Sequence, residues 1–193
     1  MKILLLCTSD YANLAYNYQQ CLKEVGVEAL ALKTKKHRFN YPGQADVVSE
    51  ERIRKISSLF DTVIYVHSDF INIDLSNKLV GVIHTGSRYR FGYKELNKLF
   101  NSIVHVTFSG GDVLNLGAKN EHWIQAPVDT KVLIPNYDRT NLQKIIIGHY
   151  PSKNDKGIEI IKDAMSRCLC KNIVLSYDEN TISWKENIKR MDK

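Results

Sequence analysis

The sequence predicts an α/β fold, a parallel sheet with helices on both faces, and three observations carry that prediction. Short unbroken apolar runs recur along the chain, as strands buried on both faces require. Segments with apolar residues at three- and four-residue intervals separate them, as crossover helices require. Polar and glycine-containing stretches follow the apolar runs, at the sheet edge where parallel strands bind ligands.

Taken in order, Ile3 to Cys7 reads as a buried strand. Ser9 and Asp10 can cap a helix from Ala12 to Val25, with Leu14, Tyr18, Cys21, Leu22 and Val25 on one face and Gly26 as its C′ glycine. Val27 to Leu32 is a second strand. Ser49 to Phe60 has the capping serine and the Ile53/Ile56 spacing of a helix. Asp61 to Val66 and Leu79 to His84 read as a third and a fourth strand, Tyr93 to Phe100 as a short amphipathic helix, and Ile103 to Phe108 as a fifth strand. Asp112 to Leu116 reads as a helical turn and Glu121 to Ile124 as a short sixth strand.

A connector is expected over residues 125–140, where Pro127, Pro135, Asn136 and two aspartates occur with little periodicity. Beyond it, Lys144 to Gly148 opens a new strand, Gly157 to Cys168 a helix, Asn172 to Tyr177 another strand and Trp184 to Met191 a last helix. The expected organisation is a first domain over 1–130, a linker over 131–143 and an incomplete second α/β unit over 144–193. A length of 193 residues agrees, exceeding one common domain and falling short of two. There is no solenoid repeat and no low-complexity tract.

With 44% hydrophobic and 25% charged residues the chain has the composition of an ordinary globular protein able to bury a continuous core, for which disorder is not the default. Its four cysteines, Cys7, Cys21, Cys168 and Cys170, form no two pairs at zinc-binding spacing, so reduced thiols in a cytoplasmic protein are expected and no metal. The apolar start ends at Thr8-Ser9-Asp10, too soon for a signal sequence or a membrane span. Twenty-seven Lys and Arg against 21 Asp and Glu give a net charge of +6, which favours anionic partners. The densest basic cluster is Lys33-Thr34-Lys35-Lys36-His37-Arg38. It reads either as a solvated loop or as an electrostatic foot on an acidic acceptor or lipid headgroup, a peripheral contact with the inner face of an anionic membrane. Without RNP-like aromatics or zinc-finger spacing, no specific nucleic-acid partner is expected.

Candidate site residues collect at strand ends. The loop Thr8-Ser9-Asp10-Tyr11-Ala12 has no glycine, which excludes a dinucleotide fingerprint, and no Walker motif occurs. The fourth strand runs into His84-Thr85-Gly86-Ser87-Arg88-Tyr89-Arg90. This is either an anion-binding corner or a turn in which Ser87 is the N-cap and the arginines face solvent. His84 alone reads equally as a hydrogen-bonded structural residue. Gly110 and Gly111, after strand five, either release the chain into a turn or leave room for a ligand. His67-Ser68-Asp69 makes a third polar strand end at the same edge, from which no Ser-His-Asp triad follows without geometry.

These strings resemble a known family. His84-Thr85-Gly86-Ser87-Arg88-Tyr89-Arg90 resembles the His-x-Gly-Ser-x-x-Arg corner of GT-B glycosyltransferases of the family-4, glycogen-synthase-like group. Trp123-Ile124-Gln125-Ala126-Pro127-Val128-Asp129-Thr130 resembles that group's interdomain connector. Lys144-Ile145-Ile146-Ile147-Gly148-His149-Tyr150-Pro151-Ser152, followed by Lys156-Gly157, resembles the opening of its donor domain. The resemblance implies a Rossmann-like acceptor-side domain, the GT-B N-terminal domain, followed by a partial second Rossmann-like unit. It also implies metal-independent, retaining transfer of a sugar from a nucleotide-sugar, the co-substrate in place of a cofactor, to a glycan or lipid-linked acceptor. His84 is then the catalytic-site histidine facing the transferred sugar, with Ser9, Asp10, His67, Gly86, Ser87, Arg90, Gly110 and Gly111 as substrate-binding residues. His149, Ser152, Lys156 and Gly157 fall around the donor phosphate, where relatives add an arginine that this chain lacks. The acidic pair of the donor domain falls beyond Lys193. The chain is therefore expected to be a truncated form, or a short relative completed by a partner or by oligomerisation. The alternatives are a non-catalytic module binding sugar, nucleotide or partner on the same fold, and a nucleotide-binding regulatory domain.

Overall fold

The apolar runs pair as their composition requires, all in parallel. In a computed structural model of the chain, residues 1–37, 41, 43–128, 145–149, 160, 163–164, 166–167 and 173–177 are described. Strands β1 (Lys2–Cys7), β2 (Glu28–Lys33), β3 (Asp46–Val47), β4 (Thr62–Val66), β5 (Leu79–His84), β6 (Val106–Ser109) and β7 (Glu121–Trp123) form one sheet in the order β3-β2-β1-β4-β5-β6-β7. Every pairing in it is parallel. The chain builds outward from β1 to β3, returns to β4, and builds outward the other way. Neighbouring strands β1 and β4 therefore send their connections in opposite directions, which opens a crevice at their C-terminal ends.

Helices α1 (Leu14–Glu24), α2 (Glu50–Ser57) and α3 (Gly86–Phe100) cover the two faces. Side chains alternate across each strand, so Leu4, Leu6, Val63, Tyr65, Val80 and Val82 pack with Ile53 of α2 and Phe100 of α3. Ile3, Leu5, Cys7, Ala29, Ala31 and Ile83 pack with Leu14 and Ala15 of α1 on the other face. The architecture is that of a Rossmann-like α/β sheet. Burial of each enclosed Leu, Ile or Val contributes about 1.5–3 kcal/mol.

Local signals act as their chemistry dictates. Gly26 adopts φ 78° beyond α1, with Gly26 N donating to Lys23 O and Val27 N to Leu22 O, the two bonds of a Schellman cap. Because nothing lies within 4 Å of a Cβ at Gly26, Gly26→Ala is expected to cost about 1 kcal/mol from backbone strain alone. A lower urea midpoint with an unchanged slope checks this. Ser49 caps α2 through its side chain, accepting from Arg52 N at 3.3 Å.

Besides the fifth strand, which runs over Val106–Ser109 rather than from Ile103 because Ile103 and Val104 still bond back to Phe100, three features differ from expectation. Helix α1 starts at Leu14 rather than Ala12, because Tyr11–Asn13 forms a 3₁₀ turn with Ala12 (φ 55°) and Asn13 (φ 56°) left-handed. Helix α3 starts at Gly86 rather than Tyr93, since Gly86 takes φ 65° in its first turn and Tyr89 is fully buried beneath it. The N-cap is accordingly Thr85, and Ser87 lies inside the helix, exposed. The third is β3, an edge pair of residues between the second strand and α2 that carries no apolar run. From β4 to β5 the chain crosses without a helix. Ile71 and Ile73 cover the sheet there, and Tyr65 Oη donates to Ile71 O at 3.0 Å.

The chain divides into two compact units, Met1–Arg38 with Pro42–Val132, and Phe39–Tyr41 with Leu133–Lys193. In the second, β8 (Ile145–His149) and β9 (Ile173–Tyr177) pair in parallel, with Ile145 opposite Ile173 and His149 opposite Tyr177. The expected helix over Trp184 to Met191 lies outside the described residues, as does the expected linker over 131–143. Among the described residues no helix is long and apolar enough to cross a membrane.

Candidate functional site

Three polar strand ends, after β1, β4 and β5, meet beside the crevice between β1 and β4. After β1, Asp10 is fully buried and its carboxylate accepts from Ala15 N at 2.7 Å and Tyr16 N at 3.0 Å, tying the loop to the first turn of α1. After β4, His67 (φ 62°) and Ser68 (φ 58°) are both left-handed, as are Ala12 and Asn13 across the crevice. Each such non-glycine residue costs of order 1 kcal/mol or more, and strain held by surrounding structure clusters at functional sites. Here the restraints are explicit. Asp69 accepts from Thr8 N at 2.7 Å and pairs with Arg88, and Ser68 Oγ bonds His84 Nδ1 at 2.8 Å.

Held this way, His67 sits between two elements. Its Nδ1 lies 2.8 Å from Thr85 Oγ1, and its Nε2, enclosed and without a hydrogen-bond partner, lies 3.6 Å from Asp10 Oδ1. Thr85 is the N-cap of α3 yet makes no capping bond, because its hydroxyl is turned to His67.

Beside this array lies an open groove of about 670 Å³, within the range of small-molecule sites. Tyr11, Tyr18 and Trp123 line it together with Gly86, Gly110 and Gly111, and His67, Thr85, Asp112 and Gln125 supply polar groups. Tyr18 Oη donates to Gln125 O at 3.1 Å, and burial first, then Cys21, pushes its phenol up to about 12. Gly111 abuts the Trp123 indole, and Asp112 is paired with Arg90.

The sequence-predicted residues thus separate. His67, Gly86, Gly110 and Gly111 line the groove together. His84 does not: it is fully enclosed, stacked on Tyr89 at 3.8 Å and 6°, and bonded to Ser68. A side chain with no exposed surface cannot face a transferred sugar, so the expected catalytic contact is corrected to a structural one. Burial lowers the His84 pKa to about 4, so the ring is neutral at pH 7. Asp10 is corrected likewise, from substrate ligand to buried helix cap and neighbour of His67. Ser9 is half-buried and Ser87 exposed, and neither lines the groove; Arg90 reaches it only through Asp112. The basic cluster also changes. Lys33 is fully buried with Nζ 2.9 Å from Gln44 Oε1, which leaves Lys35 and Lys36 exposed, while Arg38 lies outside the described residues. The backbone of His149 ends β8, and Ser152, Lys156 and Gly157 lie outside the described residues.

Sequence reasoning overlooked Thr85, Tyr11, Tyr18 and Trp123 as groove residues. Strand parity could have found Thr85: Val80 and Val82 face one core and Ile83 the other, so His84 continues inward on the first side and Thr85 turns to the second. Cys7 is buried, and burial raises its thiol pKa well above the usual range, so it is inert. Among the described residues no three His, Cys, Asp or Glu side chains are grouped to hold a metal ion. Comparison with known proteins returns no matching family model and no matching curated protein.

Proposed function

We propose that this chain is the acceptor-side part of a GT-B-type glycosyltransferase and that the groove holds a saccharide. The observation that carries the reading is the groove's composition, three aromatic side chains beside three glycines with polar groups among them. A sugar ring offers an apolar C–H face and a rim of hydroxyls. Tyr11, Tyr18 and Trp123 suit the first; Thr85, Asp112 and Gln125 suit the second. The order of the three family-like strings along the chain supports the same reading. In it, the donor diphosphate belongs to the second unit, around Lys156 at the start of the expected helix, where a cation and helix amides offset the charge of the leaving group.

A saccharide that binds the native chain raises its melting temperature with concentration. Screening mono- and oligosaccharides, UDP, GDP and their sugars by thermal shift is expected to find a stabilising saccharide, and Trp123→Ala to weaken it by about tenfold, roughly 1.4 kcal/mol. Trp123 is 61% exposed, so the substitution spares the core. Release of free sugar or nucleoside diphosphate from a nucleotide-sugar distinguishes an enzyme from a binding module on the same fold. A screen in which no saccharide shifts the transition contradicts the reading.

A further inference from the structure

We infer that Thr85 is an activated hydroxyl nucleophile, in a Thr85–His67–Asp10 array that cleaves carboxylic esters presented in the groove. One contact of such an array is formed, and the other needs a shift of a few tenths of an ångström. The hydroxyl is 2.8 Å from one imidazole nitrogen, and the other nitrogen faces a fully buried carboxylate at 3.6 Å, a separation of the kind that tightens on substrate binding. Asp10 already accepts two backbone amides. It therefore acts as an acceptor towards His67, Nε2 carries the ring proton, and Nδ1 accepts from Thr85 Oγ1–H.

Four further observations point the same way. Thr85 forgoes the capping bond its position offers, which keeps Oγ1 on His67 at the groove wall. The amides of the first turn of α3, a 15-residue helix with no acidic residue in that turn, follow immediately and suit a developing oxyanion. Gly86 adds no side chain, and the space where its Cβ would sit is open to 4 Å. The left-handed conformation of His67 is the strain expected of a residue held for a purpose, and Ser68, bonded to His84, keeps it there.

In the reaction, Thr85 Oγ attacks the ester carbonyl carbon and its proton passes to His67 Nδ1. The bond to the alcohol oxygen then breaks with its electron pair, and that oxygen takes the proton from His67. Water attacks the acyl-threonine, again giving a proton to His67, and the carboxylic acid leaves as Thr85 regains its hydrogen. The sum is ester plus water to acid plus alcohol. Asp10 stabilises the imidazolium at both stages.

The test uses an alkyl fluorophosphonate, in which Oγ attack forms a P–O bond and expels fluoride, with 4-nitrophenyl acetate as a chromogenic ester. Intact-mass measurement of the full chain is expected to show one adduct, mapped to the peptide containing Thr85. Thr85→Ser retains labelling, Thr85→Val abolishes it, and His67→Gln slows it by about a hundredfold, the weight of a general base. Melting temperatures of the variants within a few degrees of wild type exclude unfolding as the cause. No adduct on the wild type, an adduct elsewhere, or undiminished labelling in His67→Gln overturns the inference. Labelling requires no saccharide, so its failure and that of the saccharide reading are separate outcomes.

Discussion

Acidification from pH 7 to pH 4 is expected to remove about 3 kcal/mol of folding stability through His84 alone. The ring is sealed against Tyr89 and Phe100, and burial holds its pKa at about 4 in the folded chain, against about 6.5 when unfolded. A base whose pKa is lower in the folded state binds fewer protons there, so the unfolded chain is favoured as protons are added. The contribution is complete above about pH 6.5, falls as pH drops, and is lost as pH passes through about 4. Urea denaturation at pH 7 and pH 4 measures it. In His84→Gln, which cannot titrate, the pH dependence is expected to be shallower by the same amount. An imidazole of His84 that titrates near pH 6.5 in nuclear magnetic resonance spectra contradicts this account.

Phe100→Ala is expected to cost about 4 kcal/mol, in the usual range for a buried phenylalanine. Phe100 is fully enclosed, with ring contacts to Tyr65 at 5.8 Å, Phe70 at 6.3 Å and His84 at 5.6 Å. It joins α3, the strap between β4 and β5, and the histidine that holds Ser68. The cavity left behind also admits water towards His84, so the His84 pKa rises from about 4. The variant is therefore expected to be less stable at pH 7 yet to lose less on acidification, and the two effects are not additive. Equal acid sensitivity in variant and wild type contradicts the coupling.

Most of the sheet was legible in the sequence, because strands buried on both faces need runs such as Ile3 to Cys7 and Leu79 to His84 that few other structures tolerate. The start of α3 was not. Gly86 and Gly92 weaken the helical signal there, and only the 4-3-4 spacing of Tyr89, Tyr93, Leu96 and Phe100 betrays a common face. The site was legible as an edge but not as a set of contacts. Consecutive residues on a strand point to opposite faces, so His84 and Thr85 exchange roles with a single step in parity. The glycines were informative because a turn without side chains at a strand end is encoded locally in the sequence. The aromatic side chains come from Tyr11 and Tyr18 near the start of the chain and from Trp123 far beyond them, and only the sheet order brings these together.

The most direct test of the groove as a saccharide site is a series of amide and indole spectra of the labelled chain, recorded as a stabilising saccharide is added. The account predicts saturable shifts confined to Gly86, Gly110, Gly111 and the Trp123 indole N–H, with the amides of the α2 face unmoved. Shifts that spread evenly over the surface, or that saturate at residues away from the C-terminal ends of β1, β4, β5, β6 and β7, would contradict it.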